Sequence, residues 1–101
     1  MQGGTRILIV DDSPDNRLLL QAMLTRSGHA DVLLSESAGD AFHRLSMDEP
    51  GGSDPRIDLI LLDISMPEID GIEACRRIKA VDHLRDIPVI MVTAMTDAEF
   101  L

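Results

Sequence analysis

The strongest constraint on the fold is a repeated change of hydrophobic pattern: short runs that are apolar throughout alternate with stretches patterned at the helical period. Ile7-Leu8-Ile9-Val10 is such a run, and it stops at Asp11-Asp12-Ser13-Pro14, where Ser13 can cap a helix and Pro14 suits its first position. Leu18, Leu19, Leu20, Ala22, Met23 and Leu24 then supply the apolar stripe of one amphipathic helix, which Ser27-Gly28 ends. Val32-Leu33-Leu34 reads as a second strand. Ser37 opens a second helix with Ala41, Phe42, Leu45 and Met47 as its apolar residues, and the Gly-, Pro- and acid-rich stretch from Asp48 to Arg56 reads as a surface loop. A third run, Ile57 to Leu62, is broken only by Asp58 and ends at Asp63, before the loop Ser65-Met66-Pro67-Glu68. Asp70 is placed to cap a third helix, with Ile72, Cys75 and Ile78 inward and Glu73, Arg76, Arg77 and Lys79 outward. Ile87 to Val92 is the fourth strand; it ends at Thr93, and Thr96-Asp97-Ala98-Glu99 has the form of a capped first helical turn.

Strands without a polar side imply a sheet covered on both faces, and strands alternating with helices make that sheet parallel. The fold class is therefore α/β, a doubly wound parallel sheet, with residues 1–101 as one domain. Apolar residues at 45% suffice for a core. Acidic residues number 18 against 9 Lys plus Arg, a formal net charge of −9. That balance excludes a nucleic-acid surface, which needs clustered cations, and disfavours an anionic membrane; a cation or a basic partner fits better. A single cysteine, Cys75, cannot close an internal disulfide, which points to the cytoplasm. No apolar run reaches the length of a signal-peptide core or a membrane span.

In an open parallel sheet, ligands bind beyond the carboxyl ends of the strands. Here three of the four runs end in Asp11-Asp12, Asp63 and Thr93. Right-handed crossovers set the first and third strands side by side, with the fourth next to the third, so three carboxylates and a hydroxyl share one rim. Like charges at that spacing repel. A hard divalent cation with oxygen ligands relieves them, and Mg²⁺ suits two or three carboxylates with retained waters. Other residues invite blander readings: His29, His43 and His83 lack metal-ligand spacing, Cys75 and Met66 read as packing residues, and Arg76, Arg77 and Lys79 read as a solvated face.

Three segments in order resemble one family, the receiver domains of bacterial two-component response regulators. Val10-Asp11-Asp12-Ser13 resembles its acidic pair after strand one. Leu61-Leu62-Asp63-Ile64-Ser65-Met66-Pro67 with Asp70-Gly71 resembles its phosphoacceptor motif, and Pro88-Val89-Ile90-Met91-Val92-Thr93-Ala94 resembles strand four with its switch hydroxyl. The resemblance implies a flavodoxin-like, CheY-like fold with strand order 2-1-3-4. It makes Asp63 the carboxylate that takes a phosphoryl group from a histidine kinase or a phosphotransfer protein. Asp11, Asp12 and Asp63, with the backbone carbonyl of Ser65, would hold Mg²⁺, and Thr93 would donate its hydroxyl to the phosphoryl oxygen. Activity is then confined to Mg²⁺-dependent self-phosphorylation and dephosphorylation at Asp63, switching a partner or an output domain. The family's strand-five lysine and aromatic, with the fifth strand and helix, are expected beyond Leu101, and Lys79 is expected to stand away from the strand ends. Strand four then becomes an apolar edge that favours a homodimer or domain swap. The competing function is a receiver-like dimerisation or docking module that works without phosphate; an aspartyl phosphatase ranks last, since Ser65 stands where its second acid belongs.

Overall fold

Each helix begins where a side-chain oxygen meets its free amides. The computed structural model describes residues 5–28, 31–45 and 56–92. Within them run β1 (Ile7–Val10), α1 (Pro14–Arg26), β2 (Val32–Ser35), α2 (Ala38–Arg44), β3 (Leu59–Asp63), α3 (Gly71–Lys79) and β4 (Val89–Val92), with a short 3₁₀ turn at Asp82–Leu84 before β4. The Asn16 amide donates to Ser13 Oγ at 3.3 Å, the Asp40 amide to Ser37 Oγ at 3.1 Å and the Glu73 amide to an Asp70 carboxylate oxygen at 2.8 Å. All three caps are those read from the sequence. Pro14 follows Ser13 as the first residue of α1, where a missing amide costs nothing.

The four strands are parallel in the order β2-β1-β3-β4, as expected. Alternation along the strands splits the core into two layers. Leu8, Val10, Ile60 and Leu62 face α2 and α3, packing with Ala38, Ala41, Leu45, Ala74 and Ile78. Ile7, Ile9 and Leu61 face the other way, with Leu20 and Leu24 of α1 against them. Helices therefore cover both faces, which is the doubly wound arrangement. Cys75 is half-buried against the first layer and Met66 is buried within it, so both serve packing.

Two helix faces differ from the sequence reading. In α1 only Leu20 and Leu24 reach the sheet; Leu18, Leu19 and Met23 are 63%, 59% and 54% exposed, and Ala22 is exposed as well. Six apolar residues between positions 18 and 24 wrap most of the circumference, and a helix lying on a sheet buries one stripe. In α3 the inward residues are Gly71, Ala74 and Ile78, while Ile72 is 64% exposed. The phase is set at Gly71, which presses on the end of β3 and turns the next residue outward. Two strands begin later than their apolar runs, Ile57 being buried ahead of β3 and Ile87 and Pro88 preceding β4, while β1 matches its run and β2 extends one residue to Ser35. Lys79 stays away from the carboxyl rim as expected, yet it is half-buried, its Nζ donating to the carbonyls of Arg85 and Ile87. Met47, the Asp48 to Pro55 part of the loop, His29 and the turn at Thr96 to Glu99 lie outside the described residues.

Candidate functional site

The carboxyl ends of β1 and β3 are adjacent, Val10 opposite Leu62, so the residues that follow them share one rim. Asp11 is buried there, 2% exposed, and three backbone bonds fix it. Its amide donates to the Ser35 carbonyl at 3.0 Å, its Oδ1 accepts the Ser13 amide at 2.9 Å, and its carbonyl accepts Arg17 Nη1 at 2.7 Å. Asp63 closes β3, 5% exposed, and its Oδ1 accepts the Ser65 amide at 3.2 Å. Asp12 is exposed. One oxygen from each of Asp11, Asp12 and Asp63 lies within 4.8 Å of the others.

That spacing has an electrostatic consequence. The Asp63 pKa is raised from 3.8 to about 6: burial raises it most, the Asp11 charge next, the Ser65 amide pulls the other way, and Asp12 adds to the rise. A carboxylate in this state gains from any cation placed among the three oxygens. Oxygen-only donors with two or more negative charges match a hard divalent ion such as Mg²⁺, so the residues fit the metal read from the sequence.

The loop from β3 to α3 holds the rim in shape. Met66 anchors it in the core, and Glu68 adopts a positive φ of 69° while the Ile69 amide donates to the Pro67 carbonyl at 2.8 Å, a tight three-residue turn. Gly71 then donates its amide to the Ile64 carbonyl at 2.8 Å. A Cβ at Gly71 would stand 2.1 Å from the Asp63 carbonyl oxygen, so only glycine lets α3 start this close to the strand carrying Asp63.

Of the site residues read from the sequence, Asp11, Asp12 and Asp63 come together, and Ser65 meets Asp63 through its amide. Thr93 lies outside the described residues. His43 and His83 are exposed and distant in sequence from the cluster. Arg76 and Arg77 both bond Glu73, which lowers the Glu73 pKa to about 2; this is the solvated charged face expected of α3. Arg17 went unrecognised in the sequence. Its signal was its place in the second turn of α1, because helical side chains lean toward the helix N-terminus and this one reaches the Asp11 carbonyl.

Comparison with known proteins agrees with this geometry. Residues 7–101 match the family model of the response regulator receiver domain. A two-component response regulator of Oryza sativa subsp. japonica is 38% identical over 105 residues, covering 98% of this chain and 45% of that protein. Protein PilH of Pseudomonas aeruginosa is 41% identical over 88 residues, covering 87% of this chain and 66% of that one. The chain thus spans about half the length of the rice relative and just under two thirds of PilH. The receiver domain of the Arabidopsis thaliana histidine kinase CKI1, solved complexed with Mg²⁺ and BeF₃⁻, superposes with a TM-score of 0.75 at 30% identity, covering 96% of this chain and 70% of that one. A parallel sheet in the order 2-1-3-4, an acidic rim after its first and third strands and a family match over residues 7–101 lead to one assignment: the chain belongs to the response regulator receiver domain family.

Proposed function

We propose that Asp63 is the phosphoacceptor of a two-component phosphorelay and that Asp11, Asp12 and Asp63, with the Ser65 carbonyl, hold Mg²⁺ beside it. The observation that carries this reading is the buried Asp63 carboxyl within 4.8 Å of two further carboxylates. An Asp63 oxygen forms the new bond to phosphorus as the P–N bond of a phosphohistidine breaks; the electron pair stays on the imidazole nitrogen, which takes up a proton. With a pKa of about 6, about nine tenths of Asp63 is ionised at pH 7 and able to attack. Its hydrogen bond from the Ser65 amide holds Oδ1 in place and leaves Oδ2 for the phosphoryl group. Mg²⁺ supplies neutralisation of the phosphoryl oxygens when bound. Thr93, which follows β4 directly, is proposed to donate its hydroxyl to the phosphoryl group and so couple phosphorylation to the surface after that strand. The related CKI1 receiver, complexed with both Mg²⁺ and BeF₃⁻, supports a paired cation and anion site.

The proposed partners are a histidine kinase or phosphotransfer protein in the cytoplasm and an output domain or separate target, with residues 1–101 forming one receiver domain. No described helix is long and apolar enough to cross a membrane. Self-association through β4 is proposed on one further observation: Ile90 on that strand is 51% exposed. Sedimentation of the full chain at rising concentration decides it, a single monomeric species at all concentrations ruling it out.

Intact mass after incubation with acetyl phosphate and Mg²⁺ tests the phosphoacceptor. One added phosphoryl group, absent in Asp63→Asn and absent with excess chelator, is expected. Uptake that survives Asp63→Asn would move the acceptor elsewhere, and no uptake by a folded chain would leave docking without phosphate as the better reading.

A further inference from the structure

We propose that Arg17 is a positioning residue for the acidic rim, holding the peptide that joins Asp11 to Asp12 so that the two carboxylates face Asp63. This rests on the reading of the rim as a cation site.

The chain turns sharply between the end of β1 at Val10 and the first residue of α1 at Pro14. Within that turn the Asp11 side chain is fixed by the Ser13 amide and its own amide by the Ser35 carbonyl. The remaining freedom is rotation of the Asp11–Asp12 peptide plane. That rotation moves Asp12, which is exposed. Arg17 Nη1 donates to the carbonyl of that peptide at 2.7 Å, a short charge-assisted bond from a side chain anchored on a capped helix. Arg17 is itself half-buried, and its backbone amide donates to the Ser13 carbonyl at 3.0 Å, so its base is fixed by the same turn it braces.

The sign of its effect separates bracing from charge. Removing a cation near three carboxylates, by Coulomb attraction alone, tightens Mg²⁺ binding. Releasing a braced peptide loosens it. Bonds that orient ligands from one layer out are worth about tenfold to a hundredfold in metal affinity.

The test is calorimetric titration of the full chain with Mg²⁺, with thermal unfolding as the folding control and the Asp12 and Ser13 amide resonances as a local reporter. Arg17→Met keeps the stem and the helix propensity but has no donor. It is expected to bind Mg²⁺ about tenfold more weakly and to shift both amide resonances. Arg17→Lys restores a cationic donor and is expected to recover most of the affinity. Affinity in Arg17→Met equal to or tighter than wild type overturns the inference, as do equal losses in the two variants, because the lysine retains what bracing needs. Failure of the wild-type chain to bind Mg²⁺ is a different result: it removes the cation reading of the rim, and this inference with it.

Discussion

Asp31 and Asp58 stand just ahead of β2 and β3, at the amino-terminal rim of the sheet, and both meet Arg6. Its Nε lies 2.9 Å from Asp31 Oδ2 and its amide donates to Asp58 Oδ2 at 2.9 Å, while Arg56 Nε pairs with Asp58 Oδ1 at 3.3 Å. Lys79 caps carbonyls at the same end, ahead of β4. At the carboxyl-terminal rim, Asp11, Asp12 and Asp63 meet one another, and among the described residues the one arginine there, Arg17, bonds a backbone carbonyl instead of a carboxylate. The same residue type is neutralised at one end and left in mutual repulsion at the other. Acids answered by arginines need nothing more, whereas acids gathered around a shared space carry an unfavourable energy that a bound cation removes. The difference supports the proposal that chemistry takes place at the carboxyl-terminal end of the sheet.

The largest expected effect comes from breaking the geometry of the carboxyl rim. Gly71→Ala puts a methyl group 2.1 Å from the Asp63 carbonyl oxygen and 2.8 Å from the Asp63 carbonyl carbon and Ile64 Cα, so backbone and not a flexible side chain would have to yield. A loss of about 3 kcal/mol in urea unfolding is expected, together with lost phosphoryl uptake. A stability within 0.5 kcal/mol of wild type, on the order of a neutral surface change, would mean that α3 can pull back from β3 at no cost.

Asp63→Asn is the next in size and has the opposite sign. Folding raises the Asp63 pKa from 3.8 to about 6, so the folded state holds its ionised form at a penalty that is complete above pH 6 and fades as pH falls toward 4. The variant is therefore expected to be more stable by about 1–2 kcal/mol at pH 7.5, with the advantage shrinking between pH 6 and pH 4. Millimolar Mg²⁺ narrows the gap at pH 7.5 by stabilising the wild-type fold alone. A constant gap across that pH range would remove the ionisation of Asp63, disfavoured by burial first and by the Asp11 and Asp12 charges after it, as the source. Ser35 offers a smaller gain at the same rim: its Oγ is buried without a hydrogen-bond partner among the described residues. Ser35→Ala is expected to raise stability by about 1 kcal/mol in thermal or urea unfolding, and a loss of that size would show that the hydroxyl is satisfied in solution.

The order of elements, their caps and the three carboxylates were legible because each is written in neighbouring residues. An apolar run, an acid at its end and a Ser or Asp before a helix are local signals, and parallel topology then brings Asp11, Asp12 and Asp63 together. What was not legible depends on contacts across the fold. The phase of α3 follows from Gly71 meeting the β3 backbone, which no periodicity of Ile72, Cys75 and Ile78 reveals. The stripe of α1 was hidden by an excess of apolar residues, since Leu18, Leu19 and Met23 satisfy the same pattern as Leu20 and Leu24. Arg17 bonds a main-chain carbonyl, and residue types alone do not announce such a partner. The left-handed Glu68 was equally silent, because the turn around it closes through main-chain groups, the Ile69 amide donating to the Pro67 carbonyl.

The smallest expected effect tests the other half of the comparison. Arg6→Met removes the ion pair to Asp31 but keeps the main-chain bond to Asp58. Both partners of that pair are more than a third exposed, so its loss should cost less than about 1 kcal/mol and should vanish in 1 M salt, where the screening length is on the order of 3 Å. Four strand residues lie between Arg6 and Asp11, five steps or about 16 Å at the usual rise, so Mg²⁺ affinity measured by the same titration should not change. A cost approaching that of Gly71→Ala, or one that persists in salt, would show the amino-terminal rim to be a structural clasp and not a set of solvated pairs. A changed Mg²⁺ affinity would do more, because it would mean that β1 transmits strain from one rim to the other, and neutralised acids at the far end would then be part of how the cation site is held.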